Sequence, residues 1–156
     1  MTDPTIPTLF EWAGGMPALE RLTTVFYDRV RMDVVLGPVF AQMDSRHPHF
    51  VAQFIAEVPG GPQEYSAERG GHPHMIRAHP ERHPTEAQRQ AWLSLLLRAA
   101  DDVGLPSDPE FRSALVAYPE WGSRLAVINS QPGASVVEDL PMPQWGWGVP
   151  GGPYRG

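Results

Sequence analysis

The chain has 156 residues, a hydrophobic fraction of 42% and a charged fraction of 19%, which suits one globular domain with a sizeable core. Its net charge of -6 repels polyanions, so we do not expect nucleic acid as a partner. Cysteine is absent, which excludes disulfides, cysteine-ligated zinc, iron–sulfur clusters and a thiol nucleophile.

The N-terminal residues do not have the basic and then apolar pattern of a secretion signal. The chain also has no run of about 18 apolar residues, the length that a membrane-spanning helix needs. We therefore expect a cytoplasmic protein without a membrane partner.

Two amphipathic helices are predicted in the first 60 residues. From Pro17 to Asp33, apolar side chains recur three or four residues apart, and proline suits a first helical turn. A second apolar face extends from near Pro48 to Val58, and Pro59 with the two glycines after it ends that helix.

The segment from Gly60 to Pro84 is predicted to be irregular, with short helical turns at most. It contains three His-Pro steps, and each proline disfavours a helical conformation for the residue before it. Loops of this length in a compact domain are usually functional. All six histidines of the chain fall within one stretch of 37 residues, and they are His47, His49, His72, His74, His79 and His83.

Two further helices are predicted after this segment. Thr85 is a candidate N-cap with Gln88 in the capping-box position, and an apolar stripe follows. The last helix is predicted to begin after Ser107 with Asp108 as its N-cap, to run to about Asn129 and to kink at Pro119. Because no segment has a convincing strand pattern, the predicted fold class is all-α.

The last 25 residues are rich in proline and glycine, so they cannot form a helix. Trp145 and Trp147 lie in this tail, and aromatic rings usually have apolar surface to cover. We expect the tail to lie on the body or to bind a partner. A mobile tail is the alternative.

The residues alone leave three interpretations of the clustered histidines open. The His-x-His pairs 47/49 and 72/74 could hold zinc, although the usual completing cysteine or carboxylate pattern is missing. One neutral imidazole between facing helices could instead bind a haem iron. The histidines could also be solvated loop residues.

The segment from Gly60 to Leu93 resembles the central signature of the group II truncated haemoglobins. Its ordered motifs are Gly60-Gly61-Pro62, Tyr65-Ser66, Arg69-Gly70, His72-Pro73, a single ligand histidine and Ala91-Trp92-Leu93. The resemblance covers most of residues 8–131. It implies a truncated globin, a two-over-two helical sandwich with a short proximal helix. It also implies a haem-binding domain over 1–131 and a tail over 132–156 outside the family's core.

The resemblance implies a role for each matching residue. His79, thirteen residues before Trp92, resembles the proximal ligand of the iron of a b-type haem. Trp92 and Tyr27 resemble the distal residues that donate hydrogen bonds to a bound ligand, and a purely structural role in the core is the alternative for both.

Other matching positions would complete the pocket. Phe40 resembles the aromatic residue at the haem edge, and His47 and Val51 resemble two distal positions, with His49 as an alternative to His47. The remaining candidates comprise pocket walls, Phe54 and Met75, and partners for the haem propionates, Tyr65, His74 and Arg77.

The function that the resemblance implies is binding of dioxygen, carbon monoxide or nitric oxide. Distal donors slow ligand release, which favours scavenging of reactive oxygen or nitrogen species, or sensing, over transport. Catalysis, a reductase partner and a homodimer stay open. The alternatives are a haem-free helical module that binds a protein and a metal site built from the histidine cluster.

Overall fold

The computed structural model describes residues 6–41, 43, 45–63, 65, 84–129, 145–148 and 151–153. Within these residues it has five helices and no strand. They are α1 (Leu9–Ala13), α2 (Gly15–Met32), α3 (His47–Glu57), α4 (Glu86–Asp102) and α5 (Pro109–Asn129). The predicted all-α fold class is confirmed.

The short helix α1 was not predicted, although the sequence carries its signal. Thr8 and Glu11 form a capping box, in which the Thr8 hydroxyl accepts a hydrogen bond from the Glu11 backbone N–H at 3.1 Å. Gly14 ends α1 and precedes α2 with φ +110°, a conformation that side chains with a Cβ atom rarely adopt. This glycine therefore sets the sharp turn between the two helices.

Helix α2 begins two residues before Pro17 and ends one residue before Asp33, close to the predicted bounds. The Asp33 carboxylate accepts hydrogen bonds from the backbone N–H groups of Val35 and Leu36, both at 2.9 Å. These bonds form a turn in which the side chain of Asp33 takes the place of the backbone carbonyls that would accept in a continuing helix. The chain then reverses toward α3, which ends before Val58 as the sequence predicts.

Helix α4 begins with the predicted capping box, since the Thr85 hydroxyl accepts from the Gln88 N–H at 3.1 Å and the Gln88 side chain accepts from the Thr85 N–H at 2.8 Å. At its other end, the Arg112 guanidinium donates to the backbone carbonyls of Leu105 and Pro106 at 3.1 and 2.6 Å. Arg112 thus holds the turn between α4 and α5 in place.

Helix α5 has the predicted N-cap, because the Asp108 carboxylate accepts from the Phe111 N–H at 3.2 Å. The helix continues through Pro119 to Asn129, so the proline does not end it. The predicted kink at Pro119 stays a prediction.

The core lies where α2 packs against α3 on one side and α4 on the other, while α4 packs against α5. Phe26 and Val30 of α2 are fully buried, as are Ala99 and Ala100 of α4, whose small side chains let the helices approach closely. Phe111 of α5 is also buried, and truncating such a ring to alanine typically costs about 3–5 kcal/mol.

Candidate functional site

A hydroxyl–imidazole pair joins the first two long helices. The Tyr27 hydroxyl of α2 and Nε2 of His47 in α3 are 3.1 Å apart, a hydrogen bond whose direction depends on the imidazole tautomer. Tyr27 is only 2% exposed, and the imidazole ring meets its ring edge-on with centroids 4.9 Å apart. The pair therefore places two polar groups together in largely apolar surroundings.

Aromatic rings surround this pair. Phe26 contacts Tyr27 at a centroid distance of 4.7 Å and Trp92 of α4 at 5.5 Å, with the indole nearly perpendicular to the phenyl ring. Phe40 approaches Tyr27 at 5.9 Å and His47 at 6.3 Å. We call Phe26, Tyr27, Phe40, His47 and Trp92 the distal cluster.

The indole N–H of Trp92 is the third polar group of the distal cluster. Trp92 is half-buried against the main core, and no other described residue accepts a hydrogen bond from its Nε1. Val51, one turn after His47, packs against the same core. The cluster thus combines a phenol, an imidazole and an indole donor with apolar walls.

The two histidines at the start of α3 have different surroundings. His47 contacts Tyr27, whereas Nδ1 of His49 lies 3.2 Å from the Glu20 carboxylate at the surface. The side chain of His49 is 51% exposed. Of the two candidates for the distal position, His47 is therefore the one inside the distal cluster.

A second group of aromatic rings joins α3 to Tyr65 and to α5. Phe54 contacts Tyr65 at a centroid distance of 4.9 Å and Tyr118 of α5 at 5.6 Å. Tyr65, a predicted partner for haem propionates, is 3% exposed and lies against Phe54. Burial raises the pKa of Tyr118 above its usual value, and the nearby Tyr65 adds to this shift, so Tyr118 stays a neutral phenol.

The charged residues nearest in sequence to Trp92 hold α4 to α5. The buried Arg89 donates to Glu86 on its own helix at 2.6 Å and to Glu120 on α5 at 3.2 Å. Hydrogen bonding to Arg89 lowers the pKa of Glu86 to about 2. Hydrogen bonding to Arg124 and Arg89 lowers the pKa of Glu120 as well, so both carboxylates remain ionised at neutral pH. The Arg89–Glu120 ion pair is the one that joins α4 to α5 among these residues.

Four predicted site residues lie outside the described residues. They are His74, Met75, Arg77 and His79. Within the part that the structure describes, no group of three or more His, Asp or Glu side chains is placed to hold a metal ion. No helix there is long and apolar enough to cross a membrane.

Two residues that organise these clusters were not predicted as site residues. Phe26 is the ring that joins Tyr27 to Trp92, and Tyr118 is the ring that joins Phe54 to Trp145 of the C-terminal tail. For Phe26, the only signal in the sequence is its position directly before Tyr27. No signal in the sequence indicates the role of Tyr118, because its aromatic partners come from distant segments.

Comparison with known families and proteins gives a consistent result. Residues 8–117 match the sequence model of the family described as Bacterial-like globin. The chain is also 36% identical over 120 residues to the group 2 truncated hemoglobin YjbI of Bacillus subtilis, a match that covers 76% of this chain and 88% of that protein.

Solved structures of truncated haemoglobins are similar to this chain over most of its length. The group II truncated hemoglobin from Bacillus anthracis has a TM-score of 0.71 and 28% identity, covering 81% of this chain and 96% of that one. The truncated oxygen-avid haemoglobin from Bacillus subtilis has a TM-score of 0.69 and 30% identity, covering 78% of this chain and 99% of that one.

Proposed function

Because the chain belongs to the bacterial-like globin family and is a group II truncated haemoglobin, we propose that it binds dioxygen, carbon monoxide or nitric oxide at a haem held next to the distal cluster. The observation that supports this proposal most directly is the Tyr27–His47 hydrogen bond. It lies among aromatic rings, one of which, Phe26, also contacts Trp92. The b-type haem, the ligand set and the residue roles are all part of the proposal.

The chemistry of the distal cluster fits a haem and a small ligand. Phe40 and Val51 offer apolar surface for a flat, largely apolar macrocycle. Phe54 packs in the second aromatic group, and its role as a pocket wall is proposed from the family resemblance alone. The polar groups of the cluster are a phenol, an imidazole and an indole, and hydrogen bonds from such groups suit a ligand that carries only partial charge. When bound, the haem supplies a ferrous iron that accepts a diatomic ligand.

The residues of the cluster would then orient hydrogen bonds toward the ligand. If Nε2 of His47 carries the proton, the imidazole donates to the Tyr27 oxygen, and the Tyr27 O–H would then be the group that donates to the ligand. The Trp92 indole N–H is a second donor that no described residue uses. Two donors fixed in a water-poor site stabilise partial negative charge without having to reorganise.

We also propose that His79 would hold the haem iron and that His74, Arg77 and Tyr65 would hold the haem propionates. This part rests on the order of motifs in residues 60–93, with Met75 as a pocket wall. An imidazole ligand must be neutral, and its second nitrogen needs an acceptor that fixes the tautomer.

Slow ligand release follows from two donors and favours scavenging of reactive oxygen or nitrogen species, or sensing, over transport. The similar Bacillus subtilis protein is described as oxygen-avid, which agrees with this inference. Turnover of such species would require a reductase partner to reduce the iron after each cycle. We propose a cytoplasmic location, and a homodimer remains one option for the assembly.

The test compares His79→Ala with His83→Ala in a haemin titration of the full chain. The two histidines are a matched pair, because both lie in the same segment and both precede a proline. We expect His83→Ala to give the stoichiometric Soret band of the wild type and His79→Ala to lose it. Added imidazole should restore much of the band in His79→Ala, because it replaces the missing ligand.

Equal haem binding by both variants would refute His79 as the ligand. If the wild type itself bound no stoichiometric haem, the proposed function would fail, and the haem-free binding module would become the better interpretation.

A further inference from the structure

The C-terminal aromatic segment, residues 145–148, lies on the body of the protein at two anchor points. The backbone N–H of Trp145 donates to the Val58 carbonyl at the end of α3, at 2.8 Å. The last carbonyls of a helix have no donor within the helix, so the tail supplies one of them with a partner. The Trp147 indole N–H donates to the Pro7 carbonyl just before α1, at 2.7 Å. One of the sequence-based options for the tail, that it lies on the body, is therefore confirmed for these residues.

The Trp145 ring packs against the second aromatic group, which consists of Phe54, Tyr65 and Tyr118. It meets the Tyr118 ring edge-on at a centroid distance of 5.6 Å, and Tyr118 meets Phe54 at 5.6 Å. Phe54 in turn meets the Tyr65 ring edge-on at 4.9 Å. Contacts at these distances are favourable for aromatic rings, so they form a continuous row from the tail to Tyr65.

Tyr65 is the residue at which this row of contacts reaches the proposed haem site. It is 3% exposed, and the Phe54 ring that it contacts is buried to the same extent. A tyrosine has only two side-chain torsion angles, so the position of its hydroxyl follows from the position of its ring. Packing of the Tyr65 ring against Phe54 therefore keeps the Tyr65 hydroxyl in one place.

The support for Tyr65 includes residues from outside the part of the chain that matches the family model. That match covers residues 8–117, and both Tyr118 and Trp145 come after it. Trp145 is half-buried, and its ring also contacts Trp121 of α5 at 5.8 Å. The tail thus contributes to the surroundings of Tyr65 a contact that the family match does not account for.

We propose that Trp145 is a positioning residue of the haem site, which holds Tyr65 in place through Tyr118 and Phe54 and thereby slows the loss of the haem. This inference rests on the proposed function, in which the Tyr65 hydroxyl would donate to a haem propionate. A hydrogen bond to an ionised carboxylate is among the stronger ones in proteins, so its loss weakens retention of the haem. Such a bond depends on distance and angle, which a tilt of the Tyr65 ring would change.

Trp147 provides a matched control within the same segment. Its ring contacts Trp12 at a centroid distance of 6.2 Å and Phe111 at 6.5 Å. It packs against the main core, whereas Trp145 packs against the second aromatic group. Replacing either tryptophan weakens the hold of the tail on the body, but only the replacement of Trp145 removes a contact of the row that leads to Tyr65.

The first experiment measures the transfer of haem from the ferric full-length protein to excess apomyoglobin, followed by Soret absorbance. Trp145→Ala should speed haem loss by about two- to tenfold, the range that corresponds to one aromatic contact. Trp147→Ala should stay within about twofold of the wild type, because its contacts are separate from those of Tyr65. Trp145→Phe keeps a ring against Tyr118 and should restore slow haem loss. Near-ultraviolet circular dichroism checks that each variant keeps its packed aromatic rings.

A double variant separates the positioning of Tyr65 from a general loss of stability. Tyr65→Phe removes the hydroxyl but keeps the ring, and it should itself speed haem loss. Because Trp145 acts through that hydroxyl, adding Trp145→Ala to Tyr65→Phe should change the rate by less than about twofold. The cost of Trp145→Ala in free energy of unfolding, measured in urea before haemin is added, should be the same with and without the Tyr65 hydroxyl.

Fluorine spectra test the positioning of Tyr65 without haem. The chain has four tyrosines, all of which can be replaced by fluorotyrosine in the full-length protein. Before haemin is added, Trp145→Ala should shift or broaden the Tyr65 resonance, which the Tyr65→Phe spectrum identifies. The Tyr27 resonance should stay in place in this variant. Trp147→Ala should leave the Tyr65 resonance unchanged.

Three results would overturn the inference. The first is haem loss from a folded Trp145→Ala variant that is no faster than from Trp147→Ala. The second is an undiminished effect of Trp145→Ala in the Tyr65→Phe background, which would make Trp145 a general stabilising residue. The third is an unchanged Tyr65 resonance in Trp145→Ala. All three are distinct from failure of the proposed function, in which the wild type itself binds no haem.

Discussion

Replacing Tyr27 with phenylalanine removes one hydroxyl and leaves the ring that packs against Phe26 and Phe40. A hydrogen bond to a group carrying charge contributes about 1.5–3 kcal/mol, which corresponds to roughly a 10- to 150-fold change in ligand dissociation. In this variant the 3.1 Å hydrogen bond between Nε2 of His47 and the Tyr27 hydroxyl is lost, and we expect Nε2 to donate to the ligand instead. We therefore expect the lower end of the range, about tenfold faster dioxygen release.

Stopped-flow replacement of dioxygen by carbon monoxide measures this rate in the reduced, haem-loaded protein. A double variant, Tyr27→Phe with His47→Leu, removes the substitute donor and should release dioxygen faster than either single variant. Carbon monoxide dissociation is the control, because that ligand carries less charge and should respond by about twofold or less. Dioxygen release within about twofold of the wild type in the double variant would refute the donor role of the pair.

Three other changes test separate parts of the structure. Trp92→Leu should also speed dioxygen release by about tenfold in the same assay, because it removes the second donor, and an unchanged rate would leave Trp92 a core residue. Glu86→Gln should lower the melting temperature at neutral pH, and this difference from the wild type should vanish as the pH falls from about 4.5 to about 2. Arg89 lowers the pKa of Glu86 in the folded protein, so the ionised Glu86 stabilises the fold above about pH 4.5 and this stabilisation is lost by about pH 2. A difference in melting temperature that does not change with pH would contradict this role of Glu86. Gly61→Ala should lower the free energy of unfolding in urea by about 2 kcal/mol or more, because a Cβ atom there would lie 2.5 Å from the Ala56 carbonyl oxygen and 2.7 Å from the Phe10 ring; wild-type stability would contradict this.

Local signals in the sequence predicted the long helices well. The capping box of Thr85 and Gln88 and the N-cap at Asp108 have the predicted hydrogen bonds, because a cap depends only on residues within one turn. The same logic would have found α1, since Thr8 and Glu11 have the same spacing. That helix is only five residues long, too short for its apolar periodicity to stand out.

Contacts between distant segments could not be predicted from the pattern alone. The choice between His47 and His49 depends on how α3 is rotated against α2, and the structure brings His47 to Tyr27 and His49 to Glu20. The contact between the Trp145 and Tyr118 rings likewise depends on the path of the tail over the helices. The proline and glycine content of the tail excludes a helix but does not predict that path. The family resemblance supplied the site residues that spacing could not, including His79, which lies outside the described residues.

The central proposal is that the chain binds one haem next to the distal cluster and that this haem takes up a diatomic ligand there. An absorption spectrum of the purified protein, reconstituted with haemin and then reduced under carbon monoxide, tests it most directly. We predict a stoichiometric Soret band that shifts when carbon monoxide binds. A folded protein that shows no stoichiometric Soret band, or a band that carbon monoxide leaves unchanged, would contradict the account.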